Sequence, residues 1–207
     1  FALKQEMEDR YIRAKANRIR VANFPEKKLL EELDVEAPPQ NAAVRLPHLK
    51  ELKFIQDKQN VLLIGSPGTG KTHLAIGLGI EACLAGYKVY FTSVASLVNQ
   101  LKESRSARTL RSFELNFEKY DLVIIDELGY ISFDKEGAEL LFTHLSLRAG
   151  RAATIITSNL TFDRWGEVFH DPVLTSALTD RLTHRAHIIN MIGGSYRILE
   201  TKEWMEQ

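Results

Sequence analysis

Hydrophobic and polar positions along this chain fall into two alternating periods. Short apolar runs at 61–64 (VLLI), 88–92 (KVYFT), 122–125 (LVII), 153–157 (ATIIT) and 186–190 (AHIIN) read as strands of a covered sheet. Helical spacing of apolar residues fills the intervals, over 71–85, 96–104, 107–117, 135–148, 162–169 and 172–184. Strands alternating with helices predict an α/β fold, a parallel sheet of about five strands flanked by helices. Gly86 is placed to end the first of these helices, and Asp171 followed by Pro172 to begin the last. Upstream, Leu3, Met7, Tyr11 and Ala14 recur at helical spacing, as do Ile12, Ala16 and Ile19, so residues 1–33 read as helix. The stretch DVEAPPQNAAVRLP, 34–47, reads as an irregular connection because of its prolines. The expected organisation is a helical segment and linker over 1–47 and one compact domain over 48–207, with no internal repeats.

Composition narrows the function classes. With 207 residues, 44% of them hydrophobic, the chain can bury one substantial core. Lys and Arg together number 27 and so do Asp and Glu, so net charge draws the protein neither to nucleic acid nor to an anionic membrane; local patches would have to do so. The single cysteine, Cys83, lies in an apolar helical run and reads as core, which fits a reducing cytoplasm. No apolar run reaches the roughly 20 residues that cross a bilayer, and the charged N-terminus lacks the apolar centre of a signal peptide. A soluble, cytoplasmic protein with no membrane partner is expected. The chain starts at Phe1 rather than Met, which suggests a segment upstream.

Three motifs carry candidate chemistry. GSPGTGKT, directly after a predicted strand and before a predicted helix, matches the phosphate-binding pattern G-x-x-x-x-G-K-[ST]. Gly65, Gly68 and Gly70 let the backbone wrap phosphate oxygens, and N–H groups of the helix start face negative charge. Gly65, Ser66, Pro67, Gly68, Thr69, Gly70, Lys71, Thr72 and His73 are therefore candidate ATP-binding residues, with Lys71 reaching the β- and γ-phosphates and Thr72 ligating Mg²⁺. In DLVIIDELGY, Asp126 ends an apolar strand at the edge where parallel sheets bind ligands; it would hold Mg²⁺ while Glu127 activates a water. In AATIITSN, Asn159 would stand beside Asp126 on the next strand and hold water or sense the γ-phosphate. Alternatively, Ser158 and Asn159 only turn the chain and cap the helix near Thr161.

Two basic stretches and one arginine remain. Lys102, Arg105, Arg108 and Arg111 would, on a helix, set three arginines along one side to track DNA phosphates, or form an ordinary solvated face. The run from Arg10 to Arg20 offers a second such surface. The first has no aromatic residue and the second only Tyr11, too little for a stacking platform, so duplex backbone contact is expected rather than base readout. Arg181, in ALTDRLTHRAH, either complements the negative end of its helix or crosses to a neighbouring subunit's ATP. His184 and His187 have no partners at metal-ligand spacing.

GSPGTGKTHLA, DLVIIDELGY, TIITSNL, LTDRL and the closing GGSYR together resemble the IstB-type ATPases, helpers of bacterial insertion-sequence transposition, which are relatives of DnaC-type helicase loaders within the AAA+ class. The likeness runs from about Arg10 to Arg197, with the family's N-terminal DNA-binding portion missing. It implies a P-loop AAA+ core with a reduced or absent helical lid. It also implies Asp126 and Glu127 as the metal and water-activating pair, Asn159 as first sensor, Arg181 as arginine finger and Arg197 as second-sensor arginine. The implied protein is an ATPase that assembles with ATP between subunits, as ring or filament on duplex DNA, and recruits or regulates a cognate transposase. A DnaC-like helicase loader is the near alternative, and a small-molecule P-loop kinase the distant one. The absence of an Asn-Lys pair argues against a GTPase.

Overall fold

The computed structural model describes residues 2–33, 40–191, Ser195 and Met205. Five strands, β1 (Val61–Ile64), β2 (Val89–Ser93), β3 (Leu122–Leu128), β4 (Ala153–Ser158) and β5 (His187–Asn190), form one sheet in the order β2-β3-β4-β1-β5. Every neighbouring pair is parallel, so all the strands end at one edge. Parallel strands need long crossovers, and helices supply them: α4 (Lys71–Ala85), α5 (Val94–Ser106), α6 (Leu110–Phe117), α7 (Lys135–Arg148), the single-turn α8 (Gly166–Phe169) and α9 (Pro172–Thr183). Alternation along β1 sorts the two cores. Val61 and Leu63 face Leu74 and Leu78 of α4; Leu62 and Ile64 face the cluster holding Leu97 of α5, Leu141 of α7, and Leu178 and Leu182 of α9. Consequently α4 and α9 lie on opposite faces of the sheet.

The segment before the sheet departs from its expected form. The first helix, α1 (Ala2–Val21), stops well short of residue 33. Asn23 takes a left-handed φ of 65° and the Asn23 side chain donates to Phe91 O, while Phe91 N donates to Ala22 O, so the chain is turned onto the edge of β2. The stretch expected to be irregular contributes α2 (Gln40–Lys50), with Pro47 inside it, and is followed by α3 (Lys53–Gln56). Its Ala42, Leu46 and Leu49, together with Ala22, Leu30 and Leu33, are buried in the same cluster as α4.

The expected helix over 107–117 is also cut. α5 ends at Ser106, Arg108 takes a left-handed φ of 58°, and α6 starts at Leu110. Hydrogen bonds Arg108 N to Arg105 O and Thr109 N to Ser104 O close the end of α5 as a Schellman cap with arginine in the place glycine usually takes. Residues 162–169 divide into a 3-10 turn, Phe162–Arg164, and α8.

Where α6, α7 and β4 meet, Arg148 is buried and donates to three backbone carbonyls, Phe117 O at 3.0 Å, Tyr120 O at 3.1 Å and Ala153 O at 3.0 Å. Its guanidinium stands 5.2 Å over the Phe117 ring. Burial pushes its pKa down to about 10, which leaves it charged at neutral pH. Cys83 is likewise core, its thiol pushed up by burial to about 11 and so unreactive. Arg148→Met keeps an apolar stem but orphans the three carbonyls. It is expected to cost about 2–4 kcal/mol of folding free energy, read from urea denaturation.

Candidate nucleotide site

The C-terminal edge of the sheet gathers the phosphate loop, the acidic pair and Asn159. The root of the loop is tied to both flanking strands: Gly65 N donates to Ser158 O at 3.1 Å, and Met191 N to Ile64 O at 2.6 Å. Gly70, at φ 83°, turns the chain into α4, whose first-turn N–H groups then point into the loop. Thr69 Oγ1 donates to Ser66 O at 2.9 Å and braces the loop. Lys71 lies within it, buried, with Nζ donating to Gly65 O at 2.8 Å and Ser66 O at 2.5 Å. A ring of N–H donors around a buried ammonium suits a polyphosphate.

The loop's glycines also answer to the other end of the chain. A Cβ on Gly65 would run into the carbonyl of Met191, and one on Gly68, at φ 78°, into the hydroxyl of Ser195.

Thr72 Oγ1 donates to Asp126, at 3.0 Å from Oδ1 and 3.1 Å from Oδ2. Thr157 Oγ1 donates to the same carboxylate at 2.5 Å and accepts the N–H of Glu127 at 3.0 Å. The register explains the arrangement. Ile125 pairs with Ile156 and Leu128 with Ser158, so Asp126 and Glu127 together oppose the single residue Thr157 in a β-bulge. Within the bulge Glu127 takes a φ of 70°, a conformation rarely adopted by a side-chain-bearing residue and one often concentrated at working sites. Asp126 remains 6% exposed while Glu127 is turned out to solvent. Two adjacent carboxylates are thereby given different surroundings.

The hydroxyl of Thr72 and the carboxylate of Asp126 are hard oxygen donors, and they fit Mg²⁺. Among the described residues no three His, Cys, Asp or Glu side chains are grouped to hold a metal. Asn159 Oδ1, beside Gly129, is buried and has no hydrogen-bond partner among the described residues. Turn-making falls instead to Ser158, whose Oγ bonds Leu128 O at 2.7 Å and accepts from Leu160 N at 3.1 Å and Trp165 Nε1 at 3.2 Å.

Other candidates stand elsewhere. The His73 ring is 2.7 Å from Leu29 O and serves the N-terminal segment. Arg181 is exposed near the end of α9. The next residue's carbonyl, Leu182 O, accepts from Asn60, which immediately precedes β1, whereas the phosphate loop follows β1. The length of β1, about 13 Å at roughly 3.3 Å per residue, lies between them. Arg197 falls outside the described residues, as does most of the segment after β5, where the expectation is a reduced or absent lid.

The proposed DNA patch does not form a single helical stripe, because α5 ends between Arg105 and Arg108. Lys102 is held by Asp134 at 2.6 Å, which keeps that carboxyl below its usual range; Arg105 pairs with Glu136 at 3.4 Å and Arg111 with Glu114 at 3.2 Å. Arg108 has no such pairing among the described residues. On α1, Arg10 pairs with Glu6 and Arg18 donates to Cys83 O.

The sequence pattern of the family described as IstB-like ATP binding protein matches residues 1–203. This chain belongs to that family. It is 39% identical to the insertion sequence IS5376 ATP-binding protein of Geobacillus stearothermophilus over 200 residues, 97% of this chain and 80% of that protein. It is 38% identical over 206 residues to the insertion sequence IS21 ATP-binding protein of Pseudomonas aeruginosa, covering 98% and 76% of the two. The crystal structure of the DnaC helicase loader shares the fold, with a TM-score of 0.61 at 19% identity over 77% of this chain and 95% of that one.

The sequence reading of this IstB-like chain overlooked Thr157. Within TIITSN only its strand position, one residue before Ser158, marked it; the register with Asp126 gives it meaning. Thr157→Val removes the hydroxyl that holds both Asp126 and the Glu127 backbone. Hydrolysis of ATP is expected to fall about 10- to 100-fold and to require more Mg²⁺, read from phosphate release across a Mg²⁺ titration.

Proposed function

We propose that this IstB-like protein is a cytoplasmic, Mg²⁺-dependent ATPase. It assembles head to tail on duplex DNA and recruits or regulates the transposase of its insertion sequence, with hydrolysis as the switch. The observation that carries the reading is the bulge at Asp126 and Glu127, which buries one carboxylate against Thr72 and turns the other outward.

In this reading the loop and the start of α4 bind the triphosphate, and Lys71 meets the β- and γ-phosphates. Thr72 and Asp126 would hold Mg²⁺ from the protein side, where it would neutralise phosphate charge. Glu127 accepts a proton from the attacking water, and Asn159 holds that water through Oδ1, which has no hydrogen-bond partner among the described residues. Water oxygen bonds to the γ-phosphorus as the bond to the β,γ-bridging oxygen breaks, giving ADP and inorganic phosphate. Arg181, set a strand's length from its own loop and on the opposite face from α4, serves the ATP of an adjacent copy. Such a heterologous contact repeats into a ring or a filament. Arg197, as a second sensor, belongs to the same reading.

Where DNA lies, Arg108, which has no ion pair among the described residues, supplies a cation, while Lys102, Arg105 and Arg111 exchange weak exposed ion pairs for phosphates. Loss of the γ-phosphate removes what Arg181 of the neighbour grips, and the assembly loosens.

Glu127→Gln is expected to retain ATP and remain on duplex DNA far longer than the parent, read from dissociation kinetics in ATP. Equal lifetimes would rule out the switch. Arg181→Ala is expected to bind ATP normally while hydrolysis drops about 10³-fold or more in steady-state phosphate release. Unchanged hydrolysis would assign Arg181 to the helix dipole, and label transferred to a small acceptor would point to a kinase.

A further inference from the structure

Four exposed arginines on this protein are held by acids: Arg10 by Glu6, Arg105 by Glu136, Arg111 by Glu114 and Arg164 by Glu167. Arg181 is held differently. Among the described residues no carboxylate lies within ion-pair distance of it, although Asp180 is its chain neighbour. Its guanidinium carbon instead stands 5.5 Å from the centroid of the Phe142 ring.

The distinction matters for a group that must meet a phosphate. A carboxylate partner occupies two of the guanidinium N–H donors and offsets its charge, whereas an aromatic face attracts the cation and leaves those donors free. The ring also restricts a side chain that is otherwise free to sample many rotamers. Phe142 is itself fixed, on α7 between the buried Leu141 and Leu145 and packed on the cluster that includes Leu178 and Leu182 of α9. It therefore gives Arg181 a rigid backing drawn from the first helix after the Asp126–Glu127 bulge.

We propose that Phe142 is a positioning residue that presents the Arg181 guanidinium, with its donors unspent, to the γ-phosphate bound by an adjacent copy. The proposal rests on the reading of Arg181 as a group acting between subunits.

The test measures ATP hydrolysis by the full chain on duplex DNA. Phe142→Leu keeps an apolar side chain but loses the ring face; kcat is expected to fall roughly three- to thirty-fold with KM for ATP unchanged. Phe142→Tyr keeps the ring and is expected to stay within about two-fold of the parent. Mixing then separates the two levels of the argument. Subunits carrying Glu127→Gln cannot hydrolyse but still offer an intact Phe142 and Arg181, so adding them to the Phe142→Leu protein should restore phosphate release, as it should for Arg181→Ala. If neither mixture recovers, Arg181 does not act between subunits and both readings fall. If only the Arg181→Ala mixture recovers, or if Phe142→Tyr loses as much as Phe142→Leu, or if Phe142→Leu is fully active, the positioning role of Phe142 alone is overturned.

Discussion

The carboxylate of Asp126 is the joint on which the site depends. It receives hydrogen bonds from Thr72 on α4 and Thr157 on β4 while itself belonging to β3, so three elements that are far apart in sequence are fastened at one point. A buried carboxylate is costly unless its lone pairs are met by donors, and two hydroxyls meet them. Hydroxyls suit the place because they can rotate away from the carboxylate and offer their lone pairs to a cation. The same joint shapes the backbone: matching Asp126 and Glu127 to the single residue Thr157 forces the bulge, and the bulge sends Glu127 outward. On the proposed reading, metal-binding and water-activating surroundings thus come from one irregularity in strand pairing.

A parallel sheet is polar from end to end, and on the proposed reading this IstB-like chain uses both ends. Phosphate groups belong at the edge where the strands finish, because the helix that follows β1 aims its amides there. Arg181 belongs near the other edge, because Asn60, before β1, binds the end of α9. On the proposed reading no copy can bring its own arginine to its own ATP, and the assembly inherits the direction of the strands.

Periodicity made the sheet and α4 legible, since long apolar patterns bounded by glycine or by Asp-Pro are strong local signals. β1, α4 and α7 fall at their expected bounds. The N-terminal part was misread for a physical reason. Its prolines predict an irregular connection over 34–47, whereas Ala42, Leu46 and Leu49 recur at helical spacing and outweigh Pro47 by burial in the core. The break at Arg108 gave no warning, because its left-handed cap uses arginine where glycine would have announced it. In the site, Lys71, Thr72, Asp126 and Glu127 announce themselves by motif. Thr157 does not, because its part depends on which residue of β4 lies opposite the bulge, and strand register is not written in either strand alone. The ring beneath Arg181 was invisible for the same reason, being a meeting of two helices 39 positions apart in the numbering.

Gly65 and Gly68 bear on how this loop is to be studied. Each gives way to the segment after β5 as well as to phosphate, the first to Met191 and the second to Ser195. A side chain added at either position therefore pushes against the C-terminal segment before any nucleotide arrives. Loss of function in such a variant is ambiguous between a blocked binding loop and a displaced Met191 or Ser195.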